Sequence, residues 1–400
     1  MTSTMPTAAQ TPDQILPDDG FAGTLVGRCW IPGEVPGPGI VALRADGVFD
    51  LSSTFATMSG LLDAERPAQS VRECAGRRIG SLEDLLANGA AETRDPARPF
   101  LLAPCDLQVI KAAGVTFAAS LVERVIEEHA GGDPGRAREA RDEVLAALGH
   151  EIATLVPGSP EAAALKTLLQ SRGLWSQYLE VGIGPEAEIF TKVPVLASVG
   201  TGDAVGVRAD SAWNNPEPEV VLAVASSGAI VGATLGNDVN LRDIEGRSAL
   251  LLGKAKDNNA SCSIGPFIRL FDDGFGLDDL RRETLHMTVQ GAGGYVLHGT
   301  SSMAQISRDP VDLVAQALAT HQYPDGLMLF LGTLFAPTQD RHHPGGGFTH
   351  ERGDIVAIRS ARLGELRNVV THCELAPPWR FGLRAFMANL AARGLLSGAA

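Results

Sequence analysis

The sequence predicts a mainly β (α+β) fold with short helices and a smaller N-terminal domain. Three observations carry this. Gly 45 and Pro 24 among 400 residues cut the chain densely into turns, which leaves room for few long helices. From about residue 181 onward the apolar runs are short, rich in Val and Ile, and bounded by Gly, Pro, Asn and Asp, as strands are. Helical periodicity is confined to a few stretches.

Residues 1–20 hold Thr, Pro, Gln and Asp without an apolar core, so they read as a flexible tail with no secretory leader. Residues 21–104 form the N-terminal domain, with Gly, Pro and Arg scattered through it and a helix at 81–91. The catalytic domain, 105–400, begins near Pro104 with a strand over 107–115. That strand breaks at Thr116-Phe117 and a short helix follows within 114–128. Further helices are expected at 133–150, at 159–172 and at 379–396. The second of these is well punctuated, with Ser159 as N-cap, Pro160 in the first turn and Gly173 past the end. Residues 220–235 read as two strands around a turn at Ser226-Ser227-Gly228, too apolar for a surface hairpin. Strands follow at 285–289, 327–331 and 355–358, the last entered through a turn at 352–354. The Pro- and Gly-rich loop 337–347 before it carries His342-His343, read as a lid or surface feature.

Charge narrows the function. The 33 basic and 47 acidic side chains give −14, with a pI near 5.1, and such a surface repels phosphate backbones, so no nucleic-acid partner is expected. No apolar stretch approaches 18 residues, so no membrane partner is expected either. Five scattered cysteines without CxxC spacing argue against a disulfide framework or a zinc knuckle and point to the reducing cytoplasm.

The sharpest local feature is Asn215-Pro216-Glu217-Pro218-Glu219. Residues two apart on an extended strand face one side, so Glu217 and Glu219 present two carboxylates together. The returning strand ends at Asn237-Asp238, which brings a third. Three hard oxygen ligands suit Mg²⁺ or Mn²⁺, although a surface carboxylate pair at a strand end has the same spacing. Arg242, Glu245, Lys254 and Lys256 follow closely. A cation there can hold a substrate carboxylate, a desolvated lysine can titrate low enough to move protons, and ordinary surface charge explains them too. Ser120 and Glu123 are neighbours on one helical turn, as in a capping interaction. No GxGxxG, GxxxxGK[ST], GxSxG or HExxH is present; Gly200-Thr201-Gly202 lacks the third glycine.

These residues, taken in order, resemble the fumarylacetoacetate hydrolase superfamily. The landmarks are Gly114-Val115-Thr116-Phe117, AEIFTKVP at 187–194, Gly202-Asp203, Glu217-x-Glu219, Asn237-Asp238 with Arg242-Asp243, Lys256, Ile264-Gly265-Pro266, Gly332-Thr333, Gly353-Asp354 and the 363–370 stretch. The resemblance implies a mixed β-roll with short helices, assembled as a homodimer or homotetramer, that handles 2-oxo acids. It implies that Glu217, Glu219 and Asp238 hold Mg²⁺ (or Mn²⁺), that Lys256 is an active-site lysine, that Arg242 and Glu245 line the substrate pocket, and that Gly332-Thr333 holds the substrate carboxylate. Lys192 and Phe117, on landmark stretches, join the substrate-binding set.

One departure is informative. Family hydrolases carry a His three residues before a Glu to activate water; here Ser120 stands at the His position and Glu123 keeps the Glu, so hydrolysis lacks its base. Stretches such as 114–128, 213–222 and 236–267 are similar to family members that dehydrate 2-keto-3-deoxy-pentonates. That similarity implies a Mg²⁺-dependent hydro-lyase acting on a 2-oxo-3-deoxy sugar acid and forming 2,5-dioxopentanoate. Lys256 then takes the C3 proton and Glu123 assists the leaving hydroxyl, or the two exchange these roles; Thr333 and Arg242 orient the acid, and Ser120 and Arg124 meet the distal hydroxyls. A hydrolase or decarboxylase of acylpyruvates or 2,4-diketo acids, and a non-catalytic 2-oxo-acid binder, are the competing readings.

Overall fold

The apolar runs at 220–235 form the hairpin that the sequence predicts, and it sits at the middle of the largest sheet. The structure is a computed structural model that describes residues 9–91, 93–148, 155–173, 175–333, 335, 337–342 and 347–396. Among these residues the strands gather into sheets of eleven, five and two. The hairpin pairs Pro218–Val224 with Ile230–Asp238, from Pro218 opposite Asn237 to Val224 opposite Ile230. Both sides of the first strand are buried: Val220, Leu222 and Val224 pack into one core with Leu285, Met287 and Val356, while Val221 and Ala223 pack into another with Val26, Ile40 and Met58. A strand covered on both faces reads as continuous apolar sequence rather than as an alternation. Burial of each of these valines and leucines stabilises the sheet by about 1.5–3 kcal/mol.

Cys262–Leu270 flanks the hairpin on one side, followed by Leu25–Ile31, Gly37–Arg44, Gly47–Asp50 and Arg77–Gly80; Leu327–Phe330, Val109–Ala113 and Ile189–Val193 complete the other side. Leu327–Phe330 and Val109–Ala113 run parallel, with Leu327 opposite Val109. The five-stranded sheet holds Thr284–Gln290, Ile355–Ser360 and Gly364–His372 and closes over the first core. Helices Ala118–His129, Ala137–Leu148, Pro160–Ser171 and Gln177–Ile183 pack against one another around Leu121, Val125, Leu169 and Leu179. The Ser159 hydroxyl accepts the Ala162 N–H at 3.1 Å, the cap read from the sequence.

Several expectations shift. In the stretch 1–20, residues 1–8 lie outside the described residues; within the rest, Pro12–Ile15 forms a helical turn and Ile15 is fully buried, so residues 12–15 are not a flexible tail. Strands of residues 25–80 join the large sheet through Leu25 opposite Arg269. The helix expected at 133–150 begins as a 3-10 turn, Pro134–Arg136, and continues as Ala137–Leu148; residues 149–150 are outside the described set. The last helix is Leu383–Ala392, capped by Gly382, and the one at 81–91 is Leu82–Leu86. Cys262–Leu270 was hidden by Pro266. Its ladder to Ile230–Asp238 jumps from Leu235–Gly265 to Ala233–Arg269, so the proline falls where no ladder hydrogen bond is required. His342 faces Glu351 at 3.7 Å; His343 lies outside the described residues. Among the described residues no helix is long and apolar enough to cross a membrane.

Candidate active site

Hairpin register assembles the three carboxylates. Glu219 sits opposite Gly236, the Asp238 N–H donates to the Glu217 carbonyl at 3.1 Å, and the Glu217 N–H donates to Asn237 Oδ1 at 3.1 Å. One oxygen from each of Glu217, Glu219 and Asp238 lies within 4.8 Å of the others, and all three residues are buried. The Gly332 N–H donates to Glu219 Oε2 at 2.7 Å. Gly332 reaches that position with φ +98°, and a Cβ there would stand 2.0 Å from Thr116 Oγ1, so only glycine fits.

Cations surround the trio. Lys256 donates to Glu217, and to Asp238 Oδ2 at 3.1 Å; Lys192, also fully buried, pairs with Asp238 Oδ1 at 2.8 Å. Arg124 donates to Glu217 and to Glu127 Oε2 (2.5 Å) and faces Glu245 Oε2 at 3.3 Å. Arg242 donates to Asn215 Oδ1 (2.8 Å) and faces Glu127 Oε1 at 3.2 Å. The cavity among these groups is lined by Ser120, Arg124, Glu188, Phe190, the three carboxylates, Glu245, Lys256 and Thr333, with Ala113 to Val115 as its floor. Val115 takes φ +46°, a costly conformation for a β-branched residue and one that concentrates at functional sites.

Burial pushes the Glu219 carboxyl well above the usual carboxylate range, and repulsion from Asp238 and Glu217 adds to it. Burial acts the same way on Asp238, but Lys192 and Lys256 outweigh it and hold that group below its ordinary value. Burial also works against the Lys256 ammonium, and Asp238 and Glu217 overcome it, so Lys256 stays charged beyond the ordinary lysine range. The sequence reading of a lysine titrating low is therefore corrected: two carboxylates at hydrogen-bond distance decide its charge. Glu188 is pushed up to about 7, by burial first and then by Glu245.

Ser120, Arg124, Glu217, Glu219, Asp238, Glu245, Lys256 and Thr333 meet at the cavity, as the sequence reading expects. Others do not. Glu123 is held by Arg141 through two hydrogen bonds, at 2.5 and 2.8 Å, about 60° round the helix from Ser120. Its carboxylate is engaged with the next helix, and Glu127, one turn further on, takes the buried place instead. Arg242 lines a neighbouring cavity. Lys192 stands behind Asp238, Phe117 is buried in the core under the start of its helix, and Gly332 acts through its N–H. Lys254 is exposed.

Sequence reasoning missed Glu188, Phe190 and Glu127. Glu188, Phe190 and Lys192 alternate along Ile189–Val193 and its approach, so the alternation that makes Lys192 notable also marks the other two. For Glu127 the signal is a spacing of three from Arg124.

Residues 212–371 match the sequence model of the family described as fumarylacetoacetate (FAA) hydrolase C-terminal. A protein of Haloferax volcanii named probable 2-keto-3-deoxyxylonate dehydratase is 34% identical over 194 residues, covering 48% of this chain and 63% of that one. The 2-dehydro-3-deoxy-D-arabinonate dehydratase of Saccharolobus solfataricus is 31% identical over 182 residues, covering 45% and 57%. The chain thus spans less than two thirds of the length of these curated relatives. Among solved structures, 2-keto-3-deoxy-D-arabinonate dehydratase in its apo form, and complexed with magnesium and 2,5-dioxopentanoate, each align with TM-score 0.61 at 20% identity, over 87% of this chain and 99% of that chain. These structures share the fold.

Proposed function

We propose that this chain, which carries a fumarylacetoacetate hydrolase C-terminal domain over residues 212–371, is a Mg²⁺-dependent dehydratase converting 2-keto-3-deoxy-D-pentonate to 2,5-dioxopentanoate. The observation that carries the reading is one buried cavity joining a three-carboxylate cage to the Lys256 ammonium and to Glu188, a carboxyl poised near neutrality. The names of the two curated relatives support the substrate class.

The residues fit a divalent ion. Six carboxyls (Glu127, Glu188, Glu217, Glu219, Asp238, Glu245) face four cations (Arg124, Lys192, Arg242, Lys256). Fully ionised, they leave two negative charges that one Mg²⁺ or Mn²⁺ on Glu217, Glu219 and Asp238 cancels. All three ligands are hard oxygens, as such ions prefer. Bound there, the ion supplies Lewis acidity that polarises a 2-oxo group and acidifies the neighbouring C3.

Glu188 takes the C3 proton, a role suited to a base whose value lies near the working pH. The C4 hydroxyl leaves as water, carrying a proton from Lys256 or from Glu188 itself, and a C3–C4 double bond forms. A second proton shift, from C5 to C3, gives the C5 enol, which becomes the aldehyde. Lys256 remains cationic at rest and stabilises the negative charge that develops at the 2-oxo group. Thr333 orients the substrate carboxylate, while Ser120 and Arg124 face the hydroxyl end. Ser120 offers a hydroxyl where water activation needs an imidazole, which favours elimination over hydrolysis. The same reading gives a cytoplasmic homo-oligomer, supported by five free cysteines and by exposed Trp379, Leu383 and Met387, which a subunit contact would cover. It keeps a catalytic part from residue 105 onward, since every residue lining the cavity falls there.

The test is incubation of Mg²⁺-loaded protein with 2-keto-3-deoxy-D-pentonate, following semialdehyde formation through a coupled aldehyde dehydrogenase, with an EDTA control. Metal-dependent semialdehyde is expected. Cleavage of acetylpyruvate without dehydration would overturn the reading in favour of a hydrolase.

A further inference from the structure

A second cavity lies beside the metal cage, on the far side of the Arg124–Glu127–Arg242 ion pairs. It measures about 160 Å³, and Arg138, Arg141, Trp213, Arg242, Asp340 and Phe348 are among its lining. Three guanidinium groups and one carboxylate line it; Glu123 pairs with Arg141 and Glu127 faces Arg242, so the cavity offers a ligand hydrogen-bond donors more than net charge.

Two of its donors are buried and unused. Arg242 and Trp213 are 2% and 4% exposed, and among the described residues neither Arg242 Nη2 nor Trp213 Nε1 has a hydrogen-bond partner. The Arg242 guanidinium lies 5.5 Å from the Trp213 ring centroid, so the two donors belong to one packed unit. Trp213 Nε1 lies 3.8 Å from where a Cβ at Gly347, another lining residue, would stand. A buried N–H left without an acceptor costs about 1–3 kcal/mol, and native chains rarely leave two such donors at one cavity unless a ligand or water completes them. By contrast, Arg242 Nε already has Asn215 and Glu127, and Arg141 has Glu123.

We infer that this cavity is a second ligand site, built for a small carboxylate. A carboxylate has two oxygens, one for Arg242 Nη2 and one for the indole N–H, in the geometry that guanidinium groups favour. Arg138, exposed at the rim, supplies the long-range attraction. The volume matches a molecule of about six heavy atoms, since a cavity of about 150 Å³ encloses benzene, and Phe348 and Ala137 cover its short carbon body. The site is independent of the metal: none of its lining residues is a cage ligand. Glu127 is nevertheless shared between Arg242 and Arg124, so the two cavities stand one ion pair apart.

The experiment is calorimetric titration of EDTA-treated protein with malonate, so that no bound metal can chelate the probe. Saturable uptake at one site is expected, weakened about tenfold in Trp213→Phe, which removes only the indole N–H, and to a similar extent in Arg138→Gln, an exposed position that tests the site without touching the core. Glu188→Gln, which changes the metal cavity alone, should bind as the wild type does. Absence of saturable uptake would overturn the inference and leave the donors to ordered water. Uptake lost in Glu188→Gln but kept in Trp213→Phe and Arg138→Gln would also overturn it, because the malonate would then sit in the metal cavity.

Discussion

The Glu188 carboxyl rests directly on Gly114: a Cβ at Gly114 would stand 2.0 Å from Glu188 Oε2 and 2.7 Å from its Cδ. Gly114 has no other crowded neighbour among its three nearest atoms, so the missing side chain serves this one approach. Gly114→Ala is therefore expected to push the carboxyl off its position while the fold survives. Turnover should fall by at least about tenfold, the scale of a displaced general base, with an unchanged unfolding temperature. A large loss of unfolding temperature instead would mean that the glycine serves packing.

Glu188 also sets a pH dependence. Its value in the fold, about 7, lies above the ordinary 4.5, so its share of stability is fully present below about pH 4.5 and is lost as the pH rises through about 7. In metal-free protein, Glu188→Gln should remove that decline, so the variant gains on the wild type between about pH 5 and 8 in urea unfolding. With a divalent ion on the trio the value moves down, because a nearby cation favours the carboxylate. The acidic limb of kcat/KM should then lie below pH 7 and vanish with the residual activity of Glu188→Gln.

Gly332→Ala meets two obstacles at once, a φ of +98° and a contact of 2.0 Å with Thr116 Oγ1. The loop has to move, and the Gly332 N–H is then withdrawn from Glu219 Oε2. A stability loss of about 2 kcal/mol or more is expected, together with weaker Mg²⁺ binding, measurable by unfolding and by metal titration. Full Mg²⁺ affinity in a destabilised variant would separate the loop from the cage.

Away from the cavity, burial alone would raise Asp354, but hydrogen bonds from Arg341 and His350 prevail and hold it at about 2. This is a depressed carboxyl, so its contribution is present above the ordinary 3.8 and is lost as the pH falls through about 2. Asp354→Asn leaves Arg341 buried without its bidentate partner and is expected to cost about 3 kcal/mol at neutral pH. It should also flatten the acid limb of the stability curve below about pH 4.

Much of the three-carboxylate cluster was legible because its information is local. Glu217 and Glu219 are two apart, and the turn at 226–228 returns the chain to Asp238 in a register that the apolar pattern dictates. Glu188 was not legible in the same way, since its role depends on a strand paired with Val109–Ala113 and on the bare backbone of Gly114, neither of which spacing reports. Glu123 misled for a related reason. Helical spacing puts it beside Ser120, but Arg141, eighteen residues on, decides which way it turns. The strands between residues 25 and 80 were obscure because they are short and broken by glycine and proline, and their partner is Cys262–Leu270.

That partnership has a consequence for how the chain comes together. Leu25–Ile31 waits for Cys262–Leu270, and Val109–Ala113 waits for Leu327–Phe330, so the largest sheet closes only when distant parts of the chain meet. Such topologies fold slowly, and their unfinished edges recruit other chains. A fragment starting after residue 104 would retain Glu217, Glu219 and Asp238 yet bare the edge of Cys262–Leu270 around Ile268 and Arg269, where Val26 and Leu25 pair, leaving those backbone groups open to the next molecule. Leu25–Ile31 thus covers a short stretch of sheet edge that the rest of the chain leaves open.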